Sequence, residues 1–255
     1  MEAKVYGTFI KKDGYIYRTD TYMQFGESDD IIGACVLCNP GSSTLKGKKL
    51  QRKLEQETDY KFLHREVTKD KAMEQLEKIL QESYSGRLLG KFIIYNILTL
   101  RNPNMDKTLQ ISNNETLDYE LLHKDFEDCK VNSENIPWLL IGWGCKDNKK
   151  LDKLKEYWLK FIKEESFQHL GLKGKNEPHY YHPLPRIYIK QIEYRESIIK
   201  QHEELMQNDK NEANSSANII GIEGAEKVDT GESKEIKEIE NELSYMIKEK
   251  KYKRM

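Results

Sequence analysis

Apolar and aromatic residues fall at roughly alternate positions in VYGTFIKK and in YIYRTDTYMQF, on either side of Asp13-Gly14. That is the pattern of two half-buried strands joined by a tight turn. IIGACVLCNP is then apolar without alternation and stops at Asn39-Pro40-Gly41, which predicts a buried strand ended by a sharp turn. Over residues 50–84, charged residues with widely spaced apolar ones predict mainly helix, most clearly where Ala72, Leu76, Ile79 and Leu80 keep helical spacing. KFIIYNILTL and IPWLLIGWG read as a second and a third buried strand. Between them residues 117–129 are predicted helical, and LDKLKEYWLKFIKEES is an amphipathic helix. Alternating buried strands and helices predict an α/β fold: a three-layer α/β/α arrangement around a central, mainly parallel sheet, with the N-terminal β-hairpin added at an edge.

Toward the C-terminus the pattern weakens. RIYIKQIEYRESIIKQHEELMQ starts strand-like and continues as a helix. Residues 208–233 are rich in Asn, Ser, Gly and acidic side chains, the composition of a flexible linker. KEIKEIENELSYMIKEKKYKRM then resumes helical spacing through Ile236, Ile239, Leu243, Met246 and Ile247. It reads either as a helix for a protein partner or for self-association, or as a solvated, frayed tail. The expected organisation is an α/β domain over residues 1–200, followed over 201–255 by a charged linker and a C-terminal helical tail. Composition agrees: 37% hydrophobic and 33% charged residues imply that one segment carries charge without a core.

The net charge of −1 excludes a generally cationic surface, with a slight basic excess up to Glu196 and an acidic one beyond it. Phosphate contacts would have to come from local clusters such as Lys46, Lys48, Lys49 and Arg52, which equally suit a solvated helix face; tight, salt-resistant duplex binding is not expected. No apolar run approaches bilayer-spanning length and MEAKVYGTFI has no secretory h-region, so a cytoplasmic protein without a membrane partner is expected. Cys35 and Cys38 form a CxxC, but residues three apart on a strand point to opposite faces. They are expected to be small buried hydrophobes; Cys129 and Cys145 have no neighbour in sequence that would activate a thiolate. No metal and no cofactor is expected.

Unusual polar residues stand where strands end, the edge at which open α/β sheets bind ligands. The first buried strand ends in Cys38-Asn39-Pro40-Gly41-Ser42-Ser43 and the second carries Asn96. The third ends in Gly142-Trp143-Gly144-Cys145, and His182-Pro183-Leu184-Pro185-Arg186 follows later. Singly these are ordinary turns and dipeptides. Their order is informative.

In that order the segments resemble the uracil-DNA glycosylase superfamily. VLCNPGSS is similar to the water-activating loop, in the Asn-Pro-Gly version of the mismatch-specific uracil and thymine enzymes; IIYNILTL to the strand whose asparagine reads the uracil edge; WLLIGWGCKDNKK to the strand, Trp-Gly turn and helix start; and HPLPRI to the second catalytic loop. The same segments, with LGLKGKNEPHYYHPLP, resemble a bacterial and phage family known only as a domain of unknown function, over roughly residues 5–190. The resemblance implies a pocket for a nucleobase in nucleic acid or a nucleotide. In it Asn39 and His182 would be catalytic, and Asn96, Cys38, Pro40, Gly41, Ser42, Trp143 and Arg186 would bind substrate.

Each role has a physical content. An amide takes up no proton near neutral pH, so Asn39 would orient water by hydrogen bonding, and the chemistry would be slow. Asn96 offers a donor and an acceptor to a pyrimidine edge, or else a structural bond within the sheet. His182 would donate to a base oxygen as charge develops on it, or merely cap a loop. Trp143 walls the pocket or packs beneath its turn. The superfamily's first-loop carboxylate and blocking tyrosine correspond here to Asn39 and Gly41, which implies a wider pocket. Arg186 falls where a wedge fills the gap left by an extruded base. His179-Tyr180-Tyr181 are available for stacking or for packing. Two functions follow: an N-glycosidase, or a reader that holds a nucleobase without cleaving it.

Overall fold

The computed structural model of the chain describes residues 2–84, 88–113 and 116–219, with side chains through residue 208. β1 (Lys4–Lys12), β2 (Tyr15–Phe25), β3 (Ile31–Leu37), β4 (Tyr60–Glu66), β5 (Gly90–Asn96), β6 (Leu139–Ile141) and β7 (His169–Leu170) form one seven-stranded sheet in the order β4-β1-β2-β5-β3-β6-β7. β5, β3, β6 and β7 are mutually parallel, while β4, β1 and β2 extend the sheet antiparallel from β5. The protein is therefore α/β, with a mixed sheet that is parallel at its centre.

The strands at Ile32, Ile93 and Leu140 are neighbours, as the apolar runs predict. The hairpin forms at Asp13-Gly14, where both residues have positive φ and Lys12 pairs with Tyr15. It does not lie at an edge, because β4 pairs outside it. β4 is the main departure from the helix expected over residues 50–84. That stretch folds as α1 (Lys48–Gln56), β4 and α2 (Lys71–Ser83). The edge strand is held by backbone pairing and buries little besides Phe62, with Leu63 52% exposed, so it leaves no alternation to read. At the other end the strand expected at RIYIK is absent, and α7 (Tyr188–Ile219) begins there. Ile187, Tyr188 and Ile189 are exposed, while Tyr194, Ile198 and Leu205 meet the core at helical spacing. α7 also runs into residues 208–219, where a linker was expected. The helix expected over residues 234–255 lies outside the described residues. The compact unit that holds the sheet spans Met1–Met206.

Each face of the sheet carries its own apolar cluster, and β3 contributes to both. Cys35 and Leu37 join Leu54 of α1, Met73, Leu76, Ile79 and Leu80 of α2, and the α7 residues. Ala34, Val36 and Cys38 join Leu109 of α3 (Met105–Ile111), Leu122 of α4 (Tyr119–Leu122), Phe126 of α5 (Lys124–Asn132) and Trp158 and Phe161 of α6 (Lys149–Glu164). The CxxC cysteines thus point to opposite faces, and burial pushes both thiols well up, Cys38 to about 12. Neither is poised to ligate a metal.

Candidate functional site

The parallel register brings the strand ends together. Leu37 of β3 pairs with Asn96 of β5, and Val36 with Ile141 of β6. Beyond them the chain segments lock onto one another: Leu98 N–H donates to the Cys38 carbonyl at 3.0 Å, and Gly142 N–H to the Val36 carbonyl at 3.0 Å. The His-Pro loop lies directly over the β3 and β6 ends. A Cβ on Gly142 would stand 2.8 Å from Pro183 Cδ and 3.2 Å from Leu37 Cδ2, so only glycine fits between them. Gly144 forms a bridge with Tyr180 and has His182 Cβ as its nearest side-chain neighbour, at 3.9 Å from where its own Cβ would be. The four segments therefore converge at one edge of the sheet.

Asn39 is part-buried and its amide is fixed. Nδ2 donates to the Asn102 carbonyl at 2.7 Å and to Thr108 Oγ1 at 3.4 Å. A carbonyl can only accept, so the amide orientation is determined and Oδ1 is the end left to accept from a water. The loop around it is clamped from outside. Arg101 Nε and Nη2 donate to the carbonyls of Ser43 and Ser42 at 2.6 and 3.0 Å, and Ser43 Oγ donates to the Thr68 carbonyl. Pro40 and Cys38 are buried, with Cys38 Sγ 3.5 Å from Met105 Sδ, while Ser42 is exposed.

Asn96 is fully buried. Its backbone N–H and its Nδ2 both donate to Oδ2 of Asp125, at 2.8 and 3.0 Å, and its Oδ1 has no hydrogen-bond partner. Asp125 reaches Asn96 from α5 because β2 pairs with β5 only as far as Thr21 and Ile94, which leaves the Asn96 N–H free for it. Burial pushes the Asp125 carboxyl up to about 8, against the pull of the two Asn96 bonds, so it is mainly protonated at neutral pH. A buried acceptor without a donor costs roughly 1–3 kcal/mol, and Asn96 Oδ1 is such an atom at the carboxyl end of β5.

His182 is part-buried, and the Leu184 N–H donates to its Nδ1 at 3.1 Å. Burial lowers its pKa, with Asp70 and the Leu184 backbone opposing, and because Nδ1 accepts from Leu184 the neutral ring carries its proton on Nε2. Asp70 caps α2: Oδ1 accepts from the N–H groups of Ala72 and Met73. Its other oxygen faces the first loop, since a Cβ on Gly41 would lie 3.1 Å from Asp70 Oδ2. Gly41 also has φ +65, a conformation that disfavours any side chain. The space that glycine leaves in this loop is thus bordered by a carboxylate rather than simply widened.

Trp143 is 2% exposed, donates its indole N–H to the Pro178 carbonyl at 2.9 Å and packs edge-on against Tyr180. Its only polar atom is committed, so it supports the turn from beneath. Arg186, Lys48, Lys49 and Arg52 are exposed, and Lys46 pairs with Glu66. His179 and Tyr180 are buried and Tyr181 is 45% exposed. Asp147, Asp152 and His179 have ligand atoms within 4.8 Å of one another, but the fully buried Lys155 places its Nζ 3.2 Å from Asp152 Oδ1 and supplies the cation there. No helix among the described residues is long and apolar enough to cross a membrane.

Sequence patterns point to Asn39, Asn96 and His182 but miss Asp70, Asp125, Arg101 and Arg18. Asp70 alone left a signal, as an aspartate directly before an apolar-periodic helix. No protein-family model, curated protein or solved structure matches the chain.

Proposed function

We propose that the chain is an N-glycosidase-like protein of three-layer α/β/α architecture that recognises a nucleobase in DNA or in a related nucleotide and excises it. The observation that carries this reading is Asn96. Its amide nitrogen is pinned by Asp125, so its unpartnered Oδ1 offers an acceptor for a ring N–H where three strand-end loops meet. Around that atom the other groups fit the chemistry. Asn39 Oδ1 accepts a hydrogen bond from water and aims its oxygen at the anomeric carbon, and the proton that the water loses on attack passes to bulk solvent, since the amide takes none. As the C–N bond breaks, positive character grows on the sugar and negative charge on the base. The Nε2–H of a neutral His182 donates to the base oxygen that takes up this charge. Exposed Lys48, Lys49, Arg52 and Arg186 supply phosphate contacts without making the surface broadly cationic.

A second reading, a reader that binds without cleaving, is favoured by Asn39, because an amide takes no proton from the attacking water. Mass-spectrometric detection of free bases after incubation with oligonucleotides and nucleotides of varied base composition separates the two. Release by the wild type and at least about a tenfold loss in Asn39→Ala is expected for the enzyme. Binding without release by either protein would establish the reader.

A further inference from the structure

Arg18 is used by none of these roles. It lies on β2, 1% exposed, and its Nε and Nη1 are buried without any hydrogen-bond partner. Its stem runs against β1: a Cβ on Gly7 would stand in ordinary contact with Arg18 Cγ, at 3.6 Å. β2 has by then left β5, and Arg18 N–H donates to the Thr99 carbonyl at 2.9 Å, which places the residue beside the chain that leaves Asn96. Its partner in β1 is Phe9, a member of the cluster on the α2 side of the sheet, and Cys35 of β3 on that side is within its electrostatic reach. Asp70 favours its charge and Arg101 opposes it, Asp125 adds to the first only once it is ionised, and neither acid bonds to Nε or Nη1. One of these acids lies against Gly41 of the first loop and the other holds Asn96. A buried guanidinium near both acids, with Nε and Nη1 unpartnered and no carboxylate bonded to either, is an incompletely compensated buried cation.

We propose that Arg18 is the oxyanion-binding residue of this pocket, and that the ligand recognised there carries a carboxylate or phosphate group in addition to the base edge read by Asn96. The inference rests on the nucleobase reading for the second half of that ligand and on Arg18 alone for the first. Charge-assisted bonds from a buried guanidinium to an oxyanion are among the strongest available to a protein, and an oxyanion supplies an acceptor of the kind that Nε and Nη1 each lack. A carboxylate on the base and a phosphate on the nucleotide present the same chemistry. Their different distances from the base edge separate them by experiment.

The test is calorimetric titration of the full chain with uracil, orotate (a pyrimidine carboxylate), uridine 5′-monophosphate and inorganic phosphate, together with thermal melting without ligand. At least one of the two anionic pyrimidines is expected to bind about tenfold or more tighter than uracil, and R18M is expected to abolish that preference. Whichever anionic pyrimidine shows the gain identifies the source of the oxyanion. R18M is also expected to melt above the wild type in the absence of ligand, because it removes a buried charge that no residue pairs. A lower melting temperature for R18M, or an undiminished preference for the anionic probe, overturns the proposal. Should R18M not fold, R18Q keeps a donor without the charge and is read in the same way. Binding of uracil with no gain for either anionic pyrimidine would sink the Arg18 assignment and leave the nucleobase reading intact. Stabilisation by inorganic phosphate in the wild type but not in R18M, with no binding of uracil, would do the reverse.

Discussion

Asp125 shows how much one buried acid can decide. The backbone N–H and the Nδ2 of Asn96 both end on its Oδ2, so it sets which end of the amide is left without a partner. In the unfolded chain its carboxyl titrates near the ordinary aspartate value; in the folded protein burial raises it to about 8. A raised pKa contributes stability in full at low pH and loses it as pH rises through the folded value. Asp125→Asn keeps an acceptor for both Asn96 donors and never ionises. It is therefore expected to melt above the wild type at pH 8.5, with the gap closing by several degrees at pH 5; equal gaps at both values would contradict the burial argument. Asp70 offers a complementary substitution pair. Asp70→Ala removes the cap of α2, worth about 1 kcal/mol, and should lower the melting temperature by a few degrees. Asp70→Asn keeps the capping oxygen but removes the charge that favours Arg18, so a loss of melting temperature in that variant beyond the loss that Asp70→Asn causes in R18M reports on the charge and not on the cap. At this scale the sequence carries the strand-end polar residues, because Asn-Pro-Gly and His-Pro interrupt apolar runs. It does not carry the charges that turn inward. Asp125 sits in a helix and Arg18 in an alternating strand, and each pattern reads a charged residue as solvent-facing until the tertiary fold encloses it.

Elements with a strong apolar period are legible and those held by backbone pairing alone are not. β3, β5 and β6 are buried on both faces and give continuous apolar runs. β4 and the two-residue β7 contribute little side-chain burial and leave no such trace. The start of α7 reads as a strand because Ile187, Tyr188 and Ile189 are apolar and β-prone, although they lie on the surface. What ties α7 down is further along. His202 is 2% exposed, stands edge-on to Trp138 and tilted against Tyr84, and neither ring nitrogen has a partner. Burial lowers its pKa, so its contribution is present above the ordinary histidine value, near 6.5, and is lost as pH falls below it. His202→Phe should therefore raise the melting temperature more at pH 5 than at pH 8. An identical shift at the two values would show that the ring acts through packing alone. His123, which burial lowers to about 4, acts in the same window and leaves some acid sensitivity in the variant.

For the whole molecule, the last residue that α7 gives to the buried core is Leu205, and the compact unit ends at Met206. Removal of the chain after residue 208 should leave the melting temperature within about 2 °C of the full chain and the folded spectrum unchanged. A larger loss would show that the remainder stabilises the unit. The order of the sheet follows from the same long-range architecture. The hairpin closes within the first 25 residues, yet β2 completes its pairing with β5, and the sheet's centre needs β6 and the loop that carries Pro183. The proposed pocket draws Arg18 from the beginning of this sequence and His182 from far along it. At roughly 5–20 residues per second of synthesis, the first contributor waits on the order of ten to thirty seconds for the last. A growing chain would thus carry a finished hairpin long before it could hold a ligand, and binding would arise in a single late step, when the His-Pro loop closes over the strand ends.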